Sequence, residues 1–344
     1  MKLKILVIAT LVANFFTLAA TSQEQTPRLE TKDRFVPVIG RNGMVTSREK
    51  IASQVGVDIL KKGGNAVDAA VAVGFAMAVT YPQAGNLGGG GFMVIHLAKE
   101  NKSIAIDYRE MAPAAASRDM FLNADGTVNE MSSRFTHKAT GVPGTVAGMA
   151  HALKNYGTMS LQEVMRPAYD LALAGFPMYN YLEGSLNARK ERMMQNDAAA
   201  KVFYKKDGSS YKYGETFKQK DLAWSLKRIM EGGEKEFYHG EIAERIVADM
   251  EANGGLITMG DMANYKAVER PALVGEYKGH KVVTMPPPSS GGVHLVQIMN
   301  MLENDDLRSK GHNSAATLHL YIEAMRQAYA DRSEYLGDPD FTDV

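Results

Sequence analysis

The stretch YPQAGNLGGGGFMVIHLAKENKSIAIDYREMAP, Tyr81 to Pro113, decides how the rest of the chain is read. Four consecutive glycines, Gly88 to Gly91, run directly into the apolar segment Phe92 to Leu97. A phosphate cradle needs backbone N–H groups gathered at a helix start, with a following Lys and Ser/Thr or a spaced third Gly. Neither pattern fits here, and Phe92, Val94 and Ile95 favour a strand, so nucleotide binding is set aside. What remains is a place where chain passes chain without side chains between them, or where bare backbone lets a ligand approach closely.

Phe92 to Leu97 and Ser103 to Arg109 read as two strands of a hairpin joined by the polar turn Lys99-Glu100-Asn101-Lys102. In the second strand Ile104, Ile106 and Tyr108 alternate with Ala105, Asp107 and Arg109, which puts Arg109 on the face of Asp107. Glu110 follows at the strand end. Two readings of Arg109 stand side by side: a local ion pair with Asp107 or Glu110, and a planar fork offered to a carboxylate.

The chain has 344 residues, 45% of them hydrophobic, enough for one or two domains with a real core. Its 39 basic residues balance 39 acidic ones. Nothing in that balance points to a nucleic-acid partner. Met1 to Lys4, the apolar Ile5 to Ala20 and then Thr21-Ser22-Gln23 have the three-part form of a secretory signal, so residues 1–22 are expected to be cleaved on export to the periplasm or beyond. Residues 23–42, polar with scattered Pro, read as a poorly ordered lead-in. The absence of Cys excludes disulfides, a thiol nucleophile and thiolate metal sites.

Further along, Thr46 and Glu49 suggest a capping box for a helix with Ile51, Ala52, Val55 and Ile59 on one face, stopped by Gly63-Gly64. Asn65 then caps Ala66 to Val79, apolar all round apart from Asp68 and therefore a core helix. A helix from Gly141 to Tyr156 and another capped by Ser160 and Glu163 and stopped by Gly175 are expected next. Helices follow near Asp221 to Met230 and Glu241 to Asn253. Val268 to Tyr277 and His280 to Met285 form a second hairpin around Lys278-Gly279. Pro286 to Gly292 reads as a fixed loop before a helix from Val293 to Glu303, and a last helix spans Ser314 to Ala330.

The eight His residues show no ligand spacing for a metal. Ser47 to Lys50 and Ser209 to Lys212 match the S-x-x-K acyl-enzyme pattern, a short match that is cheap by chance. No G-x-S-x-G elbow is present. Residue chemistry alone therefore offers one candidate carboxylate binder, Arg109, and no convincing nucleophile.

Several long segments in order carry a resemblance: Gly63-Gly64-Asn65-Ala66-Val67-Asp68-Ala69-Ala70, Gln83 to Phe92, Arg109-Glu110-Met111-Ala112-Pro113, Pro286 to Gly292 and Asp331 to Asp340. Together they resemble the gamma-glutamyltranspeptidases, also called glutathione hydrolases, and the exported bacterial members most. The resemblance implies an α/β fold, the αββα sandwich of the N-terminal-nucleophile hydrolases, of which residues 43–344 would be the large-subunit part and therefore incomplete. It implies a precursor that cleaves itself, a Thr at the new N-terminus of a small subunit as nucleophile, and no metal or organic cofactor. It implies γ-glutamyl transfer or hydrolysis on glutathione and related amides, with amino acids or peptides as acceptors.

Arg109 falls on the family's Arg-Glu-Met-Ala-Pro motif, where the Arg binds the α-carboxylate of the γ-glutamyl group, so the resemblance favours the fork reading. The family's Thr-led segment has no counterpart in this sequence, and neither Thr140 nor Thr145 sits in its cleavage motif. The chain alone is thus expected to have no catalytic residue and no activity. An acylase of the same fold, acting on glutaryl or cephalosporin-type side chains, and a non-catalytic binding or assembly partner are the alternatives.

Overall fold

The computed structural model describes residues 38–344. The signal read at 1–22 and the lead-in as far as residue 37 lie outside the described residues. Every helix and strand named for the described residues belongs to the compact unit Gly43–Val344.

Helices supply most of the buried core of that unit. Helix α1 (Lys50–Lys61) buries Ala52, Val55, Gly56 and Ile59. Its cap differs from the expected Thr46 box. Glu49 itself occupies the cap position with extended backbone, and its carboxylate accepts from Ile51 N and, at 2.9 Å, Ala52 N. A residue whose own carboxylate reaches the first free N–H groups leaves none for Thr46.

Helix α2 (Ala66–Thr80) is buried along most of its length, as its unbroken apolar character requires. Asn65 and Asp68 form the expected capping box. Asp68, fully buried, is also an anchor: its carboxylate accepts from Thr158 N (2.8 Å), Thr158 Oγ1 (2.6 Å) and Met159 N (3.0 Å). Burial pushes the Asp68 pKa up, but the hydrogen bonds from the Thr158 hydroxyl and from the N–H groups of Asn65, Met159 and Thr158 outweigh it and hold the group below its ordinary value.

Strands β1 (Gly91–Leu97) and β2 (Lys102–Tyr108) form the predicted hairpin. Helices α3 (Thr145–Tyr156), α4 (Leu161–Ala174) and α7 (Lys220–Gly232) lie close to their expected limits, and α4 carries the Ser160/Glu163 box. Between α4 and α7, where the sequence carries little periodicity, the chain folds as α5 (Asn180–Met193) and α6 (Asp197–Phe203). Helix α8 covers Glu241–Ala252. In the core α2 packs on α1 and α4, and α4 on α7.

The expected strand Val268 to Tyr277 is instead two. Strand β3 (Val268–Pro271) pairs antiparallel with β2, with Ala105 opposite Arg270 and Asp107 opposite Val268. Strand β4 (Leu273–Tyr277) belongs to a separate hairpin with β5 (His280–Thr284). The break falls at Pro271-Ala272, where a residue without an N–H cannot continue a ladder on both sides. The first sheet thus gains a third strand, in the order β1-β2-β3.

Helix α9 (Ser290–Met301) starts at Ser290, inside the stretch read as a loop. A Cβ on Gly292 would lie 2.0 Å from Met285 O, so this glycine lets the helix's first turn lie against the preceding strand. Helix α10 (Ala315–Tyr335) runs five residues past its expected end. It packs on α9, which also touches β4. Only Thr317, Ala324 and Ala328 of α10 are buried, while Leu318, Ile322, Met325 and Tyr329 form an exposed apolar row at helical spacing. No helix among the described residues is long and apolar enough to cross a membrane.

Candidate functional site

The glycine run is where three chain segments meet. A Cβ on Gly90 would lie 2.4 Å from Tyr108 O and 2.7 Å from Glu110 N. Gly89 O accepts from both Gly144 N (2.8 Å) and Thr145 N (2.9 Å) at the start of α3. A Cβ on Gly144 would in turn lie 2.0 Å from Tyr108 O and from the Tyr265 hydroxyl. Backbone is pressed on backbone here, as the first of the two readings of Gly88 to Gly91 requires.

This crossing fixes the residue that follows the strand. Arg109 N donates to Asp107 Oδ1 at 3.1 Å, and Tyr265 Oη donates to Arg109 O at 2.8 Å. Burial raises the Tyr265 pKa, which keeps the phenol protonated as donor. Tyr265 stacks on Tyr238, with ring centroids 5.6 Å apart. The backbone of Arg109 is thus held from both sides.

The side chain makes no hydrogen bond or ion pair among the described residues. Strand β2 ends at Tyr108, one residue short of the expected limit, so Arg109 lies just beyond the strand and is exposed. Asp107 does not pair with it. Asp107 Oδ2 accepts instead from Arg270 Nε at 3.0 Å, across the β2/β3 ladder. Ala105, on the face of Asp107, lies opposite Arg270, which makes this a diagonal cross-strand pair. Arg270 is also bidentate to Asp340, at 3.0 and 2.8 Å, and its side chain is only 14% exposed. The Arg270 guanidinium holds the Asp340 carboxyl below its ordinary pKa, against the opposing effect of burial.

One cation thereby ties the segment after α10 to the end of β2. Next to these segments is an open cleft of about 470 Å³ lined by Arg109, Glu110, Ser290, Arg332, Gly337 and Asp338, among others. Neither Arg109 nor Arg332 makes an ion pair among the described residues. Of the two readings of Arg109, the local pair with Asp107 or Glu110 is absent among the described residues.

The S-x-x-K serines are engaged elsewhere. Ser47 Oγ lies 2.8 Å from Glu49 O and 2.7 Å from Ser53 Oγ, and Ser209 Oγ donates to Asp207. Among the described residues no three His, Cys, Asp or Glu side chains are grouped as a metal site would need. Sequence reasoning passes over Arg270, Tyr265 and Ser290 as functional residues. Arg332 lies inside the motif Asp331 to Asp340, which gives it no role by itself. Only that motif signals Arg332, and nothing local marks Arg270.

The sequence profile described as Gamma-glutamyltranspeptidase matches residues 52–344. The chain belongs to the gamma-glutamyltranspeptidase family. Against the glutathione hydrolase proenzyme of Escherichia coli (strain K12) it is 54% identical over 313 residues, which cover 91% of this chain and 54% of that protein. Against the Acylase ACY 1 proenzyme of Pseudomonas sp. (strain V22) it is 35% identical over 314 residues, covering 90% of this chain and 56% of that protein. The chain therefore spans about half the length of the curated relatives it matches. The crystal structure of Helicobacter pylori gamma-glutamyltranspeptidase superposes with a TM-score of 0.87 at 47% identity, covering 90% of this chain and 88% of that one.

The fold is accordingly the α/β fold of this N-terminal-nucleophile hydrolase family, and this chain corresponds to the family's large-subunit part. In this gamma-glutamyltranspeptidase family member, the motifs from Gly63 to Ala70 and Gln83 to Phe92 are the α2 cap and the glycine crossing. Three further motifs line the cleft: Arg109 and Glu110 from the first, Pro288 and Ser290 from the second, and Arg332 to Asp338 in part from the third.

Proposed function

We propose that the protein carrying this chain transfers γ-glutamyl groups from glutathione and other γ-glutamyl amides to water or to amines. Arg109 binds the α-carboxylate of the γ-glutamyl group. The nucleophile is a Thr at the start of a small-subunit part whose residues are not in this chain. Its hydroxyl adds to the γ-carbonyl while its own α-amine accepts the proton, and the leaving amine departs with a proton as the ester forms. Water or an acceptor amine then cleaves the ester. No residue of this chain is assigned a covalent role.

One observation carries this reading: a guanidinium without a counter-ion among the described residues, on a backbone held by Asp107, Tyr265 and the glycine crossing, lines an open cleft. With the backbone fixed, the freedom lost on gripping a carboxylate is confined to the Arg109 side chain, whose planar fork is itself rigid. The apolar row Leu318, Ile322, Met325 and Tyr329 on α10 supports a second subunit part as a partner, since a row of this kind is seldom left to water. Export through cleavage of residues 1–22 is part of the same proposal.

The test is turnover of γ-glutamyl-p-nitroanilide by the full-length protein and its Arg109→Ala variant. The variant is expected to lose roughly 2–5 kcal/mol of transition-state binding, chiefly through KM, as for truncating one partner of a desolvated charge pair. An unchanged KM removes Arg109 from the role.

The acylase relative at 35% identity supports a second reading. A glutaryl side chain also ends in a carboxylate that Arg109 can hold, but it lacks the α-amine. A panel of γ-glutamyl and glutaryl amides separates the two: preference for the glutaryl series replaces the first reading with the second.

A further inference from the structure

The cleft holds a second guanidinium that the proposed reaction does not use. Arg332 lies in the last turn of α10, far from Arg109 in sequence, and it is exposed. Its Nε donates to Ser290 Oγ at 3.1 Å, at the first residue of α9. Its terminal nitrogens make no ion pair or side-chain hydrogen bond among the described residues. Glu110 and Asp338 line the same cleft, yet no salt bridge forms between either of them and Arg109 or Arg332. Opposite charges gathered in one concave space and left unpaired are what a site for a charged ligand looks like before the ligand arrives.

An Arg held at Nε keeps both terminal N–H₂ groups for one end-on, bidentate carboxylate. Two such forks in one cleft suit a molecule with a carboxylate at each end. A space of about 470 Å³ is within the range that takes a small peptide. We infer that Arg332 binds a second carboxylate of the substrate, so that the site selects γ-glutamyl peptides ending in a free carboxylate over γ-glutamyl amides without one. This rests on the γ-glutamyl reading of the cleft. Glutathione has both groups, the γ-glutamyl α-carboxylate for Arg109 and the C-terminal carboxylate for Arg332.

The experiment compares glutathione with its C-terminal amide, which differs only in the second carboxylate, using the full-length protein. Both KM for turnover and Kd by calorimetry are measured. The unaltered protein is expected to favour glutathione by about tenfold, the scale of one charge-assisted bidentate contact at a partly exposed site. Arg332→Ala is expected to bring the ratio to about one, and Arg332→Lys to restore part of it, because charge is kept while the fork is lost. Arg166→Ala, on the outer face of α4 where Arg166 pairs with Asp170, serves as control and keeps the full ratio.

A merely structural Arg332 would shift both ligands equally and leave the ratio intact, and that result overturns the inference. Should Arg332→Ala fail to fold, Arg332→Gln, which keeps length and a hydrogen-bond donor, carries the same comparison. Calorimetric preference for glutathione that depends on Arg332, without turnover of any γ-glutamyl donor, sinks the proposed reaction and leaves the second carboxylate site standing. Turnover without any preference does the opposite. Neither turnover nor binding rejects both.

Discussion

Asp107 Oδ2 lies 3.0 Å from Arg270 Nε, and the same Asp107 accepts from Arg109 only through the backbone. Asp107 has two neighbours in reach and uses them differently: a strand partner supplies the counter-ion and the adjacent residue supplies an N–H. Both carboxylate oxygens are thereby occupied. The Arg109 guanidinium is left to the cleft.

Removing that counter-ion should therefore do two things. Arg270→Met leaves the nearly buried Asp107 without a partner and releases Asp340, at a cost of about 3 kcal/mol in unfolding free energy. Asp107 would then turn to Arg109, and KM for γ-glutamyl donors should rise although Arg270 does not line the cleft. Chemical denaturation and steady-state kinetics on the same preparation check both. A loss of stability with KM unchanged would show that Asp107 does not compete for Arg109.

The glycine crossing has no room for a methyl group. Gly144→Ala should cost about 2–3 kcal/mol through overpacking, because the added Cβ meets a backbone oxygen and a phenol already bonded to Arg109 O. The Gly144 φ of −114° lies in a region open to any residue, so the loss would come from space and not from backbone strain. Gly184→Ala, where an added Cβ meets nothing within 4 Å, is the matched control and should be neutral or slightly stabilising in thermal unfolding.

Tyr265→Phe deletes one hydrogen bond and little volume. It should cost about 1 kcal/mol in stability. It should also raise KM modestly with kcat nearly unchanged, since it loosens the peptide that carries Arg109 without touching the reacting atoms. A fall in kcat at constant KM would argue that Tyr265 acts on the chemistry instead.

Asp68 sets an acid limit. Its folded-state pKa is lowered, so its contribution is complete above the unfolded carboxylate value of about 4 and is lost as pH falls through the lower folded value. Denaturation midpoints measured from pH 6 down to about 2 should fall in that window. Asp68→Asn should lower stability by roughly 2–4 kcal/mol at neutral pH and flatten the acid slope, because several donors lose their charged acceptor. An unchanged slope would assign the acid sensitivity to other carboxylates.

The chain's own order of residues was enough for whatever depends on neighbours along the backbone. The Asn65/Asp68 and Ser160/Glu163 boxes, the stop at Gly63 with its φ of 94°, the β1/β2 hairpin and the buried character of α2 are all consequences of interactions spanning a few residues. Even there a competitor within reach changed the outcome: Glu49 caps α1 in place of Thr46. The motif order is enough to point to the family and to Arg109 without coordinates.

The choice of ionic partner was not legible in this way. An Asp between two arginines selects by distance through space, and the chosen one, Arg270, is 163 residues away in sequence. Its position follows from the β2/β3 register and from the break at Pro271-Ala272, neither of which a local pattern specifies. Arg332 and Ser290, 42 residues apart, likewise meet only because α9 and α10 pack together. Local backbone chemistry determined the elements, and Coulomb attraction acting across folded distances decided which charges pair within the scaffold and which line the cleft without an ion pair among the described residues.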